Sequence, residues 1–165
     1  ALGAIGIAAL AAVFWAGVRW NSTESAPAGL WRVVDRVPAR GEWVSFCPSD
    51  TALFREYRAR GYMHGGPCPG GLEKLLKPVA AIAGDVVSVV GEGVSVNGAM
   101  LLGTAPQTQD SSGRPLVPRF VTATVENGDL WVVSNHSPLS IDSRYFGPIA
   151  VASLEGVAVP VWVGR

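Results

Sequence analysis

Residues 86–98, VVSVVGEGVSVNG, set the expectation for the whole chain. Valines recur around serines on both sides of Gly91-Glu92-Gly93, which reads as two strands folded into a hairpin. Toward the N-terminus, LWRVVDRV (30–37) and EWVSF (42–46) alternate or cluster apolar residues at strand period, separated by the turn-forming PARGE. Toward the C-terminus, VTATVENGDLWVVS (121–134) predicts a second hairpin, turning at Asn127-Gly128. GVAVPVWVG (156–164) predicts a last strand, which Pro160 assigns to an edge. The polar, proline-rich run GTAPQTQDSSGRPLVP (103–118) predicts an exposed loop, and GGPCPGG (65–71) a tight glycine-rich one. A helical signal comes from SDTALFREYRARG (49–61), where Ser49 or Asp50 can cap, Leu53 and Tyr57 stand four apart, and Gly61 can end the helix. No βαβ alternation, internal repeat or second domain is visible. The expected fold is mainly β, a barrel or folded sheets, in one domain over residues 21–165.

Length and charge bound the function. A chain of 165 residues can build one real core. With 13 basic and 13 acidic residues it carries no electrostatic footprint for nucleic acid. Its 48% hydrophobic and 16% charged composition points to a membrane-associated protein. Residues 1–18, ALGAIGIAALAAVFWAGV, contain neither charge nor proline. As a helix they would span roughly 27 Å, enough for a thin bilayer core, with Trp15 and Trp20 at the interface. The expectation is an N-terminal transmembrane anchor over residues 1–20; a cleaved signal peptide is the competing reading.

The chain has two cysteines, Cys47 and Cys68, and two histidines, His64 and His136. This is a poor zinc set, so no metal and no cofactor are expected. An even cysteine pair in an exported domain reads as a disulfide, against the alternative of two buried thiols.

Three stretches carry candidate chemistry. NSTESAPAGLW (21–31) places Ser25 just after the apolar segment, beside Pro27 and Gly29; the plain alternative is a solvated linker serine. Lys77 lies among Leu75, Leu76, Val79 and alanines. Such a lysine commonly snorkels to water, but if buried it loses its proton more readily and becomes a base able to activate a serine. SIDSRYFGP (140–148) packs Ser140, Asp142, Ser143 and Arg144 into five positions, which alone is compatible with a polar turn. A Ser25–His136–Asp142 triad is disfavoured because no nucleophile-elbow GxSxG surrounds Ser25.

Taken together, order and spacing resemble the type I signal peptidases (Ser–Lys, S26-like), and within them the conjugative-transfer, TraF-type maturation proteases. NSTESAPAGLW resembles the serine motif of that branch, KPVAAIAGD (77–85) the lysine motif, and SIDSRYFGP the third motif; the two-cysteine segment is also typical of the branch. The resemblance implies Ser25 as nucleophile, Lys77 as general base, and Thr23 as a hydroxyl helping to bind the oxyanion. It further implies Ser140 as the lysine's hydrogen-bond partner, with Asp142 and Arg144 as a supporting charged pair. Pro78 and Ala83 depart from the usual lysine motif, and SNHSPLS departs from the usual lead-in to Ser140. The implied activity is maturation of an exported precursor with small residues before the cut, a conjugative pilin, which some members of the branch cyclise. The implied location is the bacterial inner membrane, single-pass, with the peptidase domain in the periplasm. Rival functions are a general signal peptidase and an inactive β-domain that binds secretion or pilus components.

Overall fold

The computed structural model describes residues 17–164. The expected anchor therefore lies outside the described residues up to position 16. The last positions assigned to it, Val18–Trp20, belong instead to a strand.

In chain order the elements are β1 (Val18–Asn21), β2 (Gly29–Val34), β3 (Trp43–Phe46), α1 (Ala52–Ala59), β4 (Gly65–Cys68) and β5 (Leu75–Ile82). They continue with β6 (Val86–Val90), β7 (Gly93–Val96), β8 (Ala99–Leu101), β9 (Val121–Thr124), β10 (Asp129–Val132), α2 (Ser143–Phe146), β11 (Ile149–Ala150) and β12 (Leu154–Val163). A seven-stranded antiparallel sheet has the order β1-β2-β12-β3-β5-β10-β11, and a four-stranded one the order β8-β7-β6-β9. The chain is mainly β, as expected, and the hairpin at 86–98 forms with Gly93 as the first residue of its second strand.

The second expected hairpin does not form. β9 pairs with β6 in the small sheet, whereas β10 pairs with β5 and β11 in the large one. Asn127-Gly128 is a local turn signal, but the strands it separates find partners in different sheets. The crossing at Val125 is tied to the β5–β6 crossing: Gly84 N–H donates to the Val125 carbonyl at 2.9 Å, and Val125 N–H to the Asp85 carbonyl at 2.8 Å. Asp85 is buried and accepts from Ile82 N–H and Asn97 Nδ2, each at 2.9 Å, and from Arg40. This is what the Gly-Asp at the end of KPVAAIAGD does: it turns the chain from one sheet into the other.

Three further expectations are corrected. β12 is central, between β2 and β3, not an edge strand. Pro160 is tolerated because it lies past the last β3 pair, Ala158↔Trp43, beside a register shift against β2. The 103–118 run is only partly exposed: Thr104 and Leu116 are buried, and Asp110 ties the run to the residues after α1 through Tyr62 at 2.5 Å. The cap of α1 is Thr51, whose hydroxyl accepts Phe54 N–H, while Asp50 pairs with Arg55. Gly29 explains why the serine motif needs glycine there. At φ +143° it faces β12 so closely that a Cβ would stand 2.2 Å from the Trp162 carbonyl oxygen.

Cys47, directly after β3, is bonded to Cys68 at the end of β4, with Cα atoms 5.4 Å apart. The bond closes an excursion carrying α1, whose Phe54 and Tyr57 pack into the main core with Phe46 and Phe146. For a sequence separation of 21, loop-closure entropy gives about 3 kcal/mol. A Cys47→Ala/Cys68→Ala double variant should therefore unfold in urea with about 2–4 kcal/mol less stability than the oxidised protein; an unchanged midpoint contradicts this role.

Candidate active site

Lys77 stands on β5, where burial alternates so that Lys77, Val79 and Ala81 share the inward face. Pro78 contributes twice. A residue before proline is held extended, which keeps Lys77 in the strand. Proline also offers no amide hydrogen, and here the partner strand slips register between Trp131 and Val132. The Lys77 side chain is 3% exposed, and its Nζ donates to Ser140 Oγ at 2.8 Å. Burial lowers its pKa to about 8; Asp142 and Glu73 pull it back upward, while Arg144 pushes it further down. An amine in this setting can lose its proton near neutral pH and accept another from a nearby hydroxyl.

The third motif is a tightly built structural unit. Asp142 and Arg144 are both fully buried and paired, with Arg144 Nε on Asp142 Oδ1 at 2.8 Å and Nη2 on Oδ2 at 2.7 Å. Asp142 also caps α2 and accepts Ser134 N–H at 3.0 Å. Ser143 Oγ accepts Val132 N–H at 2.9 Å, and Tyr145 Oη accepts Gln107 N–H at 2.8 Å. Phe146 joins the core, and Gly147 takes φ +84° where a Cβ would meet Arg119 at 2.7 Å. Each residue from Asp142 to Gly147 thus holds the unit that positions Ser140.

Ser25 lies in the turn between β1 and β2 and lines the same cleft as Lys77, with Thr23, Tyr62, Glu73 and Ile141. The structure therefore brings together the predicted Ser25, Lys77 and Thr23 around one cleft, with Ser140, Asp142 and Arg144 behind them. His136 is exposed, and Asp142 is engaged by Arg144 and Ser134, so the triad reading finds no assembly. The disulfide-closed excursion supplies Tyr62 and Met63 to the cleft wall, and no residue of the GGPCPGG loop is among the described lining residues.

Two organising residues escaped the sequence reading. Asn21, buried at the end of β1, donates from Nδ2 to the carbonyls of Thr23, Ala26 and Pro27 at 3.1–3.3 Å. Its Oδ1 accepts the Thr23 hydroxyl at 2.8 Å, so that hydroxyl's one proton is directed at Asn21. The expected oxyanion role of Thr23 requires it to turn from Asn21 to the substrate. Asparagine at a turn entry is a recognised signal for such side-chain–backbone bonding, and Asn21 offered it. The second residue, Ser134, donates from Oγ to the Ser25 carbonyl at 2.8 Å. No local signal marks it, because its partner is 109 residues away.

Comparison with known proteins bears on this geometry. The family described as signal peptidase, peptidase S26, matches residues 1–163. The chain belongs to that family. Similar members include a probable conjugal transfer protein TraF of Sinorhizobium fredii, 42% identical over 94% of this chain and 82% of that one. A plasmid transfer protein TraF of Escherichia coli is 39% identical over 94% of this chain and 90% of that one. A signal peptidase I of Enterococcus faecalis has a crystal structure similar to this one with a TM-score of 0.44, at 22% identity over 75% of this chain and 98% of that chain.

For a peptidase S26 protein, the cost of holding the Lys77 amine in the interior is a measurable quantity. In the unfolded chain the amine titrates near its ordinary 10.5, in the folded protein near 8. Below about pH 8 the native state carries the full penalty of the depressed pKa, on the order of 3 kcal/mol, and sheds it between pH 8 and 10.5. Lys77→Met should therefore melt above the wild type at pH 7, less about 1 kcal/mol for the partner Ser140 loses. That advantage should shrink as the pH approaches 10; a difference independent of pH over this range contradicts a depressed lysine.

Proposed function

We propose that this chain is a serine endopeptidase with a Ser25–Lys77 dyad that matures an exported precursor, a conjugative pilin subunit. The observation that carries the reading is a lysine amine buried on a strand, bonded to a serine hydroxyl rather than a carboxylate, on the cleft that Ser25 also lines. In the reaction, neutral Lys77 takes the Ser25 hydroxyl proton as Oγ attacks the scissile carbonyl. The Ser25 backbone N–H is one donor to the developing oxyanion, and Thr23 can serve as a second once released from Asn21. Collapse breaks the peptide bond, Lys77 returns the proton to the leaving amine, and a Ser25 acyl ester remains. Water resolves the ester to a linear product, or the precursor's own N-terminal amine resolves it to a ring; a tethered amine has a high effective concentration.

The similarity to conjugal and plasmid transfer proteins supports a pilin-type substrate with small residues before the cut. Placement at the bacterial inner membrane, with a single span and the catalytic domain in the periplasm, is part of the same proposal. Trp20 and Trp162, both largely exposed, stack at 6.4 Å beside the strand that follows the apolar segment, in keeping with a site working at a membrane surface.

The test is co-expression with the pilin precursor of the same conjugation system. Wild type should yield the matured product, and Ser25→Ala and Lys77→Arg none, because a guanidinium does not deprotonate in this range. Rate at saturating substrate should rise through about pH 8 as Lys77 loses its proton. Intact mass separates a ring, lighter by one water, from a linear product. An active Lys77→Arg enzyme overturns the dyad, and processing of unrelated secretory precursors with equal efficiency makes the protein a general signal peptidase.

A further inference from the structure

The proposed nucleophile and base come from distant parts of the chain, 52 positions apart, so something must hold them in register. Two serines do so in parallel. The Ser140 hydroxyl holds the Lys77 amine, and the Ser134 hydroxyl holds the Ser25 carbonyl, each at 2.8 Å. The backbones of these two serines meet on a single group: Arg144 Nη2 donates to the Ser134 carbonyl at 3.1 Å and to the Ser140 carbonyl at 3.2 Å. Asp142 completes the clamp by accepting Ser134 N–H and pairing with Arg144. Ser134, Ser140, Asp142 and Arg144 are all essentially excluded from solvent, so water does not compete for these bonds.

Resting on the Ser25–Lys77 reading, we infer that Ser134 is a positioning residue, which sets the Ser25 turn at a fixed distance from the base through the Arg144 guanidinium. A planar, fully buried guanidinium is a suitable ruler, because Nη2 draws both carbonyls to one atom, Asp142 fixes the plane through Nε and Nη2, and the group stays charged. The Ser25 carbonyl belongs to the peptide unit beside the nucleophile, so anchoring it limits rotation of the turn that carries Oγ and the Ser25 N–H. On the other side of the turn, Asn21 anchors the carbonyls of Thr23, Ala26 and Pro27. Ser134 contributes the bond that refers this turn to the base rather than to itself.

The Ser134→Ala variant tests this with two readouts. Amide hydrogen exchange in the purified chain should speed up at least tenfold across residues 22–26, where Thr23 N–H is held on Asn21 Oδ1, with no change along β5; unaltered exchange in that turn overturns the inference whether or not the protein cleaves anything. Cleavage of an internally quenched peptide bearing alanines before the cut supplies the second readout. There kcat should fall about 10- to 100-fold with KM within twofold, the effect of an ångström-scale misplacement. The acid limb of the rate profile should stay where wild type has it, because Lys77 keeps Ser140. A general loosening of the third motif would move that limb and KM together, and such a result, or an undiminished kcat, overturns the inference. If wild type itself leaves the peptide and the pilin precursor intact, the dyad reading fails, and the exchange experiment still decides the role of Ser134.

Discussion

The site depends on one constraint, an amine placed in the protein interior with a hydroxyl, not a carboxylate, as its partner. A buried carboxylate against Lys77 would hold the proton and give an inert ion pair. Three residues earlier a lysine does have a carboxylate partner, in a half-buried pair. Lys74 Nζ pairs with Glu155 at 2.7 Å, and Glu155 also takes Arg19 and the Ser45 hydroxyl. Only Lys77 is left to desolvation, and its pKa falls accordingly.

Keeping that amine without a counter-ion requires the carboxylate that acts on it most strongly to be occupied. Asp142 is buried beside the site and draws the Lys77 proton affinity upward, but Arg144 pairs with both of its oxygens and Ser134 N–H adds to Oδ2. A buried pair of this kind is not a source of net stability, since desolvating two charges offsets most of their attraction. Its value here is geometric: it fixes Ser134, Ser140 and the start of α2 in one rigid unit, and it keeps the neighbourhood of Lys77 close to neutral. Stability is given up at Lys77 and recovered elsewhere, in the aromatic core around Phe46, Phe54 and Phe146 and in the Cys47–Cys68 bond.

How much of this was legible in the sequence depended on the range of the interaction. Strands with two-residue periodicity, such as 86–90 and 93–96, and the cysteine pair declared themselves locally or by count. The family was legible from three motifs in order, and Lys77 only through them, because apolar neighbours alone do not distinguish a buried lysine from one that snorkels. What failed was non-local. Asn127-Gly128 reads as a hairpin turn, yet β9 and β10 leave for different sheets, and Pro160 reads as an edge although the strand is central before it. Ser134 could not be seen at all, since its meaning lies in a carbonyl that only the fold brings to it.

The central claim is that Lys77 carries a neutral amine at mildly alkaline pH, and it can be observed without any substrate. The sequence contains two lysines, Lys74 and Lys77, so side-chain-labelled lysine gives two resonances, which a Lys74→Arg variant assigns. Following the Lys77 signal by NMR from pH 6 to 11 in the folded protein should give a midpoint near 8. A midpoint at the ordinary lysine value of 10.5 would contradict the account, leaving the amine protonated wherever Ser25 would need a base.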